Sequence, residues 1–410
     1  MAVQCNFCGA FLKTTFVDLG MAPLVSSYLN SDTLLDMEPT YPLHAYVCDE
    51  CFLVQLPEAE KPENIFSEYP YFSSVSDSWL QHAKKYVEMM IERFEYHESS
   101  QVIEIASNDG YLLKNFLKKG IKVLGVEPAK NVAAVAIDGG IPTVNKFFGK
   151  QTAEGLRADG KVADLLIGNN VLAHVPDLND FVGGLKILLA PQGIITMEFP
   201  HLLKLIEENQ FDQIFHEHCS YLSLITVKNI FGKHGLMIFD VEELPTHGGS
   251  LRIYAKHEDD NSKQKTKNVN DLEEKEIKGG LTNLGSYGEF AKNVIQTKFK
   301  LLEFLIKAKY DGKSIVGYGA PGKGAVLLNY CGIRCDVLDY TVDRSPHKQG
   351  GFMPGVHVPI YHPDKIKETR PDFLLILPWN LKHEIMEQMS FIREWGGQFI
   401  IPIPELKIYS

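Results

Sequence analysis

The sequence has no long apolar run and no excess of basic charge, and each shortage excludes a class of function. No segment approaches the roughly 18 consecutive apolar residues of a membrane-spanning helix. The 41 lysines and arginines are outnumbered by 52 aspartates and glutamates, so the formal net charge is -11. An acidic chain is a poor partner for the phosphate backbone of nucleic acids. We therefore expect neither a nucleic-acid nor a membrane partner.

Two further shortages concern location and assembly. The first residues, MAVQCNFCGA, lack the charged and apolar segments of a secretory signal peptide. No predicted helix has a long apolar face that a second subunit would need to cover. A cytoplasmic monomer is the expectation.

Cysteine is also scarce, with seven in 410 residues, but four of them form two tight pairs. Cys5 and Cys8 make one C-x2-C pair, and Cys48 and Cys51 make another. In a reducing compartment such pairs predict a metal site before a disulfide. Four thiolates match a closed tetrahedral zinc site, which leaves no position open for catalysis. We predict structural Zn2+; reduced pairs without metal, or with a redox role, are the alternative.

Downstream of these pairs, short β-type runs alternate with helical stretches. The middle of the chain has QVIEIAS, KVLGVEP, VADLLIGNNV and GIITMEFP; the end has SIVGYGAPG, DVLDYTVD, DFLLILPWN and QFIIPIP. Such alternation predicts parallel sheets flanked by helices. The expected fold class is α/β. We predict a zinc-binding module at residues 1–70, Rossmann-like domains at 71–256 and 311–410, and a charged linker with a helix at 257–310.

The first Rossmann-like unit carries a nucleotide-type site where its strands end. A tight loop follows the strand that ends at Ile105. The next strand ends in an acidic residue, which can bind both hydroxyls of a ribose. Polar residues at the end of the fourth strand would face the same cleft. The predicted cofactor-binding residues are Glu104, Ala106, Asn108, Gly110, Glu127, Pro128, Asn169 and Asn170.

The loop and the acid alone do not name the cofactor, because NAD sites use the same constellation. This unit lacks a complete G-x-G-x-x-G, and its loop reads E-I-x-S-N-D-G. These features favour S-adenosylmethionine.

A complete G-x-G-x-x-G occurs in the second Rossmann-like unit, from Gly317 to Gly322, and Asp343 follows about twenty residues later. By spacing it is a dinucleotide fingerprint, and it supports an alternative function, an NAD-dependent sugar-nucleotide oxidoreductase. A glycine loop at a helix N-terminus suits any anion. The basic residues predicted to bind substrate are Lys323, Arg344, Lys348 and, from the motif HGGSLR, Arg252.

The stretch FDQIFHEHCSY places His216, Glu217 and His218 among aromatic residues. A metal site is one interpretation, but the stretch lacks the histidine spacing of H-E-x-x-H. Structural histidines are another interpretation. A histidine with a near-neutral pKa also suits general-base catalysis.

Together these motifs resemble one family. The paired cysteines, EIASNDG, GNNVLAHVPD, EFPHLLKLIEENQFDQIFHEHCSY, HGGSLR and GYGAPGKG are similar to those of the sugar C-3′-methyltransferases that modify dTDP-linked 4-keto-deoxysugars. The resemblance covers essentially the whole chain. It implies an N-terminal zinc module, a central class I S-adenosylmethionine methyltransferase domain, and a C-terminal domain that helps to bind the nucleotide sugar. The implied reaction is base-catalysed enolate formation followed by methylation at C3, with inversion.

The resemblance also implies roles for individual side chains. His218 matches the family's proposed base, and Glu217 is its neighbour in the active site. His174 matches a second active-site histidine, suited to hydrogen-bond the C4 oxygen of the sugar. The loop EYPYFSSVSDSW looks like the family's aromatic substrate loop, in which Tyr71 or Tyr69 supplies a hydroxyl.

One position departs from the family pattern. Phe215 stands where the family usually has a tyrosine before His-Glu-His, so a hydroxyl donor is lost. That change puts the identity of the sugar in doubt more than the reaction type. His216, the next residue, is predicted to bind substrate. A non-enzymatic zinc-ribbon scaffold or nucleotide sensor is the third interpretation of the chain.

Overall fold

The computed structural model describes residues 3–69 and 72–410. The chain divides into two compact units, each assembled from three segments. Unit 1 comprises Met1–Leu12, Cys48–His201 and Cys219–Thr282; unit 2 comprises Lys13–Val47, Leu202–His218 and Asn283–Ser410. The domains predicted from the sequence are single continuous segments, whereas each of these units has three. Their boundaries stay a prediction. None of the helices formed by the described residues has both the length and the apolar character needed to cross a membrane.

The strands formed by the described residues range from two to twelve residues in length. They are β1 (Thr14–Ala22), β2 (Tyr41–Val47), β3 (Val54–Gln55), β4 (Gln101–Ile105), β5 (Lys122–Val126), β6 (Thr143–Val144), β7 (Ala163–Asn169), β8 (Leu189–Pro200), β9 (Ser220–Tyr221), β10 (Leu236–Leu244), β11 (Ser250–His257), β12 (Ile315–Tyr318), β13 (Thr341–Val342), β14 (Ile360–Tyr361), β15 (Phe373–Ile376), β16 (Gln398–Ile401) and β17 (Lys407–Tyr409).

The α-helices of the same residues range from one turn to more than seven. They are α1 (Pro62–Phe66), α2 (Asp77–Phe94), α3 (Leu113–Leu117), α4 (Lys130–Asp138), α5 (Lys150–Ala158), α6 (Leu178–Leu188), α7 (Leu202–Glu207), α8 (Leu224–Lys233), α9 (Lys267–Lys278), α10 (Leu284–Tyr310), α11 (Gly322–Cys331), α12 (Lys365–Thr369) and α13 (Lys382–Gln388).

The central sheet of unit 1 has, among the described residues, seven strands in the order β10-β11-β8-β7-β4-β5-β6. Strands β4 to β8 are parallel. β11 is antiparallel to both of its neighbours. The predicted parallel α/β sheet is confirmed. The sequence analysis did not identify β10 and β11, and the nearly continuous burial of β11 explains why no alternating pattern marks it.

The order of this sheet determines where a ligand binds. From β4 the chain proceeds to β5 and β6 on one side and then returns to β7 and β8 on the other. At such a reversal the crossover helices lie on opposite faces, so a crevice opens beyond the carboxyl ends of the two central strands. The crevice of unit 1 therefore lies beyond Ile105 and Asn169.

Hydrophobic clusters on the two faces hold this sheet in place. Successive side chains of β4 alternate between them: Val102 belongs to one cluster, while Ile103 and Ile105 belong to the other. All three are essentially inaccessible to water. Burial of one such side chain contributes about 1.5–3 kcal/mol, so the β-type runs seen in the sequence follow from a sheet covered on both sides.

A charged network is buried next to this core. Glu198 on β8 is fully buried, and its Oε2 lies 2.7 Å from the guanidinium of Arg252 on β11 and 2.9 Å from Nε2 of His82 on α2. The guanidinium also donates to Glu242, at 2.9 Å. Arg252, predicted to bind substrate, therefore has both NH groups engaged by carboxylates of the protein itself.

The network shifts the ionisation of its members. Burial acts to raise the pKa of Glu198, but the hydrogen bond from His82 and the charge of Arg252 outweigh burial and hold it at about 2. A carboxyl whose pKa is lowered by folding stabilises the folded state above its unfolded pKa. This contribution is present above about pH 4.5 and is lost as the pH falls toward 2.

Unit 2 contains a second sheet, of six strands among the described residues, in the order β14-β13-β12-β15-β16-β17. All its pairings are parallel except that of β17 with β16. The same unit includes the antiparallel pair β1 and β2. Phe16 of β1 stacks on Phe290 of α10 with ring centroids 4.6 Å apart. The second Rossmann-like pattern is confirmed.

The segment 257–310, predicted as a linker with a helix, contains both α9 and α10. α9 buries Val269, Leu272 and Glu276, which lie on one face at helical spacing. The carboxylate of Glu276 accepts the backbone N–H groups of Leu224 and Ile225 at 2.6 and 2.9 Å. α9 thus caps α8, because unpaired amides at a helix start are stabilised by an anion.

Arg252→Ala is expected to lower the free energy of unfolding by about 3–5 kcal/mol, because it leaves the buried Glu198 without its main counter-charge. Urea unfolding followed by circular dichroism measures the change. Lys275→Ala is the control, since its ion pair with Glu243 is about 40% exposed on both sides; a loss below about 1 kcal/mol is expected there. Equal losses in the two variants would contradict a structural role for the buried network.

Candidate active site

A cavity of about 370 Å³ lies in the crevice of unit 1, a volume within the range of small-molecule sites. Its walls come from the segments that follow β4, β5, β6 and β7, and from the residues around α1. The predicted cofactor residues that line it are Ala106, Asn108, Glu127, Pro128, Asn169 and Asn170. The structure therefore brings together six residues that the sequence distributes over 65 positions.

The loop after β4 is held in an unusual backbone conformation. Ala106, Asn108 and Gly110 all have φ between 50° and 75°, where non-glycine residues are rare and cluster at binding sites. At Gly110 a Cβ would lie 2.8 Å from Cγ1 of Ile141. This glycine is thus required by its φ and by packing against Ile141, and it is not part of the cavity wall.

The two glutamates assigned to the cofactor occupy different environments. Glu127 lies in the cavity wall, and its two carboxylate oxygens accept the backbone N–H groups of Asn108 and Ala129 at 2.9 and 2.8 Å. Burial raises the pKa of Glu127, while these two N–H groups lower it. Glu104 is buried in β4 behind the wall, and burial raises its pKa well above the usual range. Of the two predicted acids, Glu127 is thus the one in the cavity wall.

The asparagine pair at the end of β7 has the properties of a ligand-binding wall. Within residues 3–69 and 72–410, Oδ1 of Asn169 and Oδ1 of Asn170 are buried without a hydrogen-bond partner. A buried acceptor without a partner costs roughly 1–3 kcal/mol, and a bound ligand can supply the missing donor. Nδ2 of Asn170 lies 3.2 Å from Nε2 of His247, which fixes the orientation of this amide. The residues present fit a nucleoside cofactor.

Aromatic residues that the sequence analysis did not assign also line the cavity. They are Phe66, Trp79, Tyr111, Phe147 and Phe148. Flat apolar side chains provide the surface on which the base of a nucleoside packs. The two-residue strand β6, which precedes the Phe-Phe pair, is too short to produce a recognisable pattern. The remaining sequence signal was that a Rossmann-like unit needs a third strand in this part of the chain.

His174 and Tyr69 line the same cavity. The imidazole of His174 contacts the Phe66 ring edge to face at 5.5 Å. The carbonyl of His174 lies 3.7 Å from the thiol of Cys219. Tyr71, the other predicted tyrosine, falls outside the described residues.

The four paired cysteines converge in unit 1. Their Sγ atoms lie within 4.8 Å of one another, with 3.6 Å between Cys5 and Cys51 and 3.5 Å between Cys8 and Cys48. Four sulfurs bound to one zinc at about 2.3 Å lie roughly 3.8 Å apart, so the cluster fits the metal. Nε2 of Gln55 donates to Sγ of Cys5 at 3.2 Å, as the outer neighbours of metal-bound thiolates do. The residues present fit the predicted structural zinc site.

The His-Glu-His stretch belongs to unit 2. Nδ1 of His218 lies 3.0 Å from the carbonyl oxygen of Gln213. The rings of Phe215 and His218 are 3.9 Å apart, so the phenylalanine packs directly on the imidazole. His216 is buried, with Nε2 3.3 Å from the carbonyl of Pro42, and burial lowers its pKa. Glu217 is buried too.

The metal interpretation of this stretch is not supported. Among the described residues, the four cysteines are the one group of ligand side chains close enough to hold an ion. A carbonyl oxygen can only accept a hydrogen bond, so Nδ1 of His218 carries the hydrogen. In the neutral ring the lone pair is then on Nε2, the nitrogen whose chemistry is that of a base.

The second glycine motif is engaged by the protein itself. The backbone N–H of Ala320 donates to Asp343 at 2.8 Å. The carbonyl of Ala320 accepts Nζ of Lys348 at 2.9 Å and the hydroxyl of Tyr28 at 2.6 Å. In a dinucleotide site the loop amides face a pyrophosphate and the acid faces a ribose. Here the acid, Asp343, instead accepts a hydrogen bond from the loop itself. The spacing Gly317–Gly322 therefore does not produce a dinucleotide site.

Packing on the same loop agrees with this conclusion. At Gly322 a Cβ would lie 2.9 Å from Cγ2 of Val25, and at Gly319 it would lie 2.6 Å from Cδ of Pro378. These glycines are explained by close contacts within unit 2. Of the predicted phosphate ligands, Arg344 is exposed, and Nζ of Lys323 donates to Asn380 at 3.0 Å. We find no support for the oxidoreductase alternative.

The sheet order of unit 1, its single antiparallel strand β11, and a nucleoside-type cavity with an acid after the second strand define the class. The protein is an S-adenosylmethionine-dependent methyltransferase. Family models match three successive parts of the chain: a putative zinc binding domain at residues 5–66, a methyltransferase domain at 79–241 and a C-methyltransferase C-terminal domain at 245–404. C-methyltransferase NovU from Streptomyces niveus is 34% identical over 407 residues, covering 99% of this chain and 97% of that protein. The chain belongs to this C-methyltransferase family.

More distant similarities are confined to part of the chain. A ubiquinone biosynthesis O-methyltransferase from Bartonella tribocorum is 21% identical over 159 residues, covering 35% of this chain and 62% of that protein. The crystal structure of magnesium protoporphyrin IX methyltransferase ChlM from Synechocystis PCC 6803 with bound SAM is 15% identical. It covers 43% of this chain and 78% of its own, with a TM-score of 0.33. The family assignment rests on the full-length relative and the family models.

Glu127→Gln is expected to weaken binding of S-adenosylhomocysteine by about 10–100-fold, because hydrogen bonds to a charged acceptor contribute roughly 1.5–3 kcal/mol. Isothermal titration calorimetry on the purified protein measures the affinity. Glu154→Gln, on the exposed face of α5, is the control and should bind as the parent protein does. Unchanged affinity in Glu127→Gln would exclude this carboxylate as the ribose ligand.

Cys48→Ser is expected to reduce bound zinc to a small fraction and to lower the thermal midpoint by about 10 °C or more. A structural zinc contributes several kcal/mol, and each kcal/mol corresponds to roughly 2–4 °C in a domain of this size. Elemental analysis and differential scanning fluorimetry provide the two readouts. Cys335→Ser, an exposed cysteine outside the cluster, should retain the metal. A zinc content of zero in the parent protein purified without chelator would refute the site.

Proposed function

We propose that this protein transfers the methyl group of S-adenosylmethionine to C3 of a nucleotide-linked 4-keto-deoxysugar, with dTDP as the nucleotide. The observation that carries the proposal is the orientation of His218, whose Nδ1 bonds the carbonyl of Gln213 and leaves the lone pair on Nε2. Full-length similarity to C-methyltransferase NovU supports a carbon as the methyl acceptor.

The chemistry of a carbon acceptor explains why such a base is needed. A carbon next to a ketone becomes nucleophilic only when its proton is removed and the resulting charge moves to the carbonyl oxygen. Nε2 of His218 takes the C3 proton in this proposal, acting as a general base, which contributes about 10²–10⁴-fold. Glu217, the preceding residue in the chain, stabilises the imidazolium that forms.

The developing enolate requires hydrogen-bond donors at the C4 oxygen. His174 is the proposed donor, because it lines the cavity of unit 1. Its ring is positioned by Phe66, and its carbonyl is positioned by the thiol of Cys219, the residue after His218 in the chain. A tyrosine hydroxyl from the aromatic loop, Tyr71 or Tyr69, is the second proposed donor. Donors oriented before the reaction stabilise an oxyanion at no further cost of reorganisation.

Other residues of the unit 1 cavity position the methyl donor. S-adenosylmethionine, when bound, supplies a methyl group activated by a sulfonium. Glu127 and the Asn169–Asn170 pair hold and orient the nucleoside, and the aromatic wall excludes water. Positioning of this kind accounts for a large part of the rate of bimolecular enzymes. His216 is proposed to contact the sugar, and Lys323 with Arg344 to neutralise the diphosphate.

His218→Gln is expected to lower kcat for methylation by at least about 10²-fold, since removal of a general base costs 10²–10⁴-fold. Mass spectrometry of nucleotide-linked 4-keto sugars after incubation with methyl donor measures the gain of one methyl group. In D2O without methyl donor, the parent protein should exchange the C3 hydrogen and the variant should not. S-adenosylhomocysteine affinity should be the same in both.

His362→Gln is the matched control, because this histidine is 62% exposed and pairs with Asp364 at the surface. It should methylate and exchange as the parent protein does. Full turnover by His218→Gln would remove the base from the mechanism. A product methylated at an oxygen would show O-methylation and would contradict the proposed C-methylation.

A further inference from the structure

Five residues that precede the His-Glu-His stretch are anchored at several points within unit 2. Nδ2 of Asn209 donates to the hydroxyl of Thr297 on α10 at 2.7 Å. Phe211 packs edge to face on Tyr330 of α11 at 5.5 Å. These contacts surround a single 3-10 turn, Phe211–Gln213. The turn is thus fixed by contacts to helices that are distant in the chain.

The strongest of these anchors is a buried charged hydrogen bond. Nε1 of Trp379 donates to Oδ2 of Asp212 at 2.7 Å. Asp212 is fully buried, and Trp379 is 5% exposed. Burial raises the pKa of Asp212 to about 6, while Lys323, the indole N–H and the backbone amides of Asp212 and Gln213 lower it. At neutral pH the carboxylate is mostly charged, and a bond to a buried anion is stronger than one between neutral groups.

The same turn ends in the carbonyl that orients the proposed base. Gln213 follows Asp212, and its oxygen lies 3.0 Å from Nδ1 of His218. Its backbone N–H donates to the carbonyl of Gln210 at 3.1 Å, within the same segment. The residue anchored by Trp379 and the residue that carries the acceptor of the His218 hydrogen bond are therefore adjacent members of one turn.

We propose that Asp212 and Trp379 are positioning residues for His218: their hydrogen bond fixes the Gln213 carbonyl, which keeps the hydrogen of the imidazole on Nδ1 and the basic lone pair on Nε2. Neither side chain is assigned to touch the substrate. The inference rests on the proposed function, because it concerns the residue that acts there as the base. Its effect is on the rate of proton removal, with little effect on substrate affinity.

The neighbourhood of Trp379 shows why an indole stands at this position. Nζ of Lys323 lies 4.8 Å from the centre of the Trp379 ring and is held by Asn380 at 3.0 Å. The ring face thus receives a cation while the ring edge binds an anion, and these are the favourable orientations of an aromatic quadrupole. A phenylalanine keeps the face and removes the N–H, so it isolates the bond to Asp212.

The chain offers a matched control for that substitution. Nε1 of Trp395 donates to the carbonyl of Pro371 at 3.0 Å, in the same unit but outside this chain of contacts. We expect Trp379→Phe to lower kcat by about 10–100-fold, the effect of displacing a catalytic group by about 1 Å, with KM within about twofold of the parent protein. Trp395→Phe should leave both constants unchanged. The thermal midpoints of the two variants should agree.

A second readout observes the imidazole without turnover. In protein labelled with 15N-histidine, the signals missing from His218→Gln identify His218. Their chemical shifts should report hydrogen on Nδ1 in the parent protein and in Trp395→Phe, and a mixture of tautomers in Trp379→Phe. Asp212→Asn, which keeps the size of the side chain but removes its charge, should produce the same mixture; it tests the inference even where Trp379→Phe fails to fold.

The outcomes separate this inference from the function on which it rests. Turnover by His218→Gln would overturn the proposed base. An inactive His218→Gln together with a Trp379→Phe variant that matches Trp395→Phe in kcat and in tautomer would overturn only the positioning role. A rise in KM with unchanged kcat would also overturn it, because Trp379 would then act on substrate binding.

Discussion

The buried carboxylate of Glu198 is the interaction on which the cavity of unit 1 depends. One oxygen binds Arg252 and His82, and the other accepts the hydroxyl of Thr246 at 2.9 Å. The backbone carbonyl of the same residue accepts the N–H of Asn170 at 2.7 Å. A single residue thus joins β8, β11, α2 and the turn after β10 to the end of β7. Because a buried charge without partners is unfavourable by several kcal/mol, these elements are constrained to keep their mutual geometry.

The same physical rule explains the glycine motif of unit 2. Its spacing satisfies a dinucleotide fingerprint, yet Asp343 binds the Ala320 amide and Lys348 binds the Ala320 carbonyl. Polar backbone groups that are removed from water need partners, and here the protein supplies them. A spacing pattern specifies a strand, a turn and a helix. It does not specify whether the turn is directed toward a ligand or toward another part of the chain.

The fold was largely predictable, because β4, β5, β7 and β8 are rich in apolar and β-branched residues and are bounded by turns. Strand β6 could not be predicted, since a strand of two residues has no periodicity. The sequence analysis therefore also missed Phe147 and Phe148, which follow β6 and line the cavity. In the candidate site, six of eight cofactor residues line the cavity, whereas Glu104 and Gly110 lie behind it. The spacing of Val269, Leu272 and Glu276 could have predicted the buried face of α9. The many charged residues around them made this spacing hard to recognise.

The sequence by itself determined the kinds of chemistry present: four thiolates spaced for zinc, a nucleoside loop with its acid, and a histidine-rich stretch similar to that of sugar C-methyltransferases. The tertiary structure decided which side chains are available for that chemistry. Arg252 and Glu104 are titratable residues near the predicted motifs, yet Arg252 is neutralised by the carboxylates of Glu198 and Glu242, and Glu104 is buried in a strand. The reason is that the energy of a charge depends on burial and on partners distant in the chain, and local spacing encodes neither.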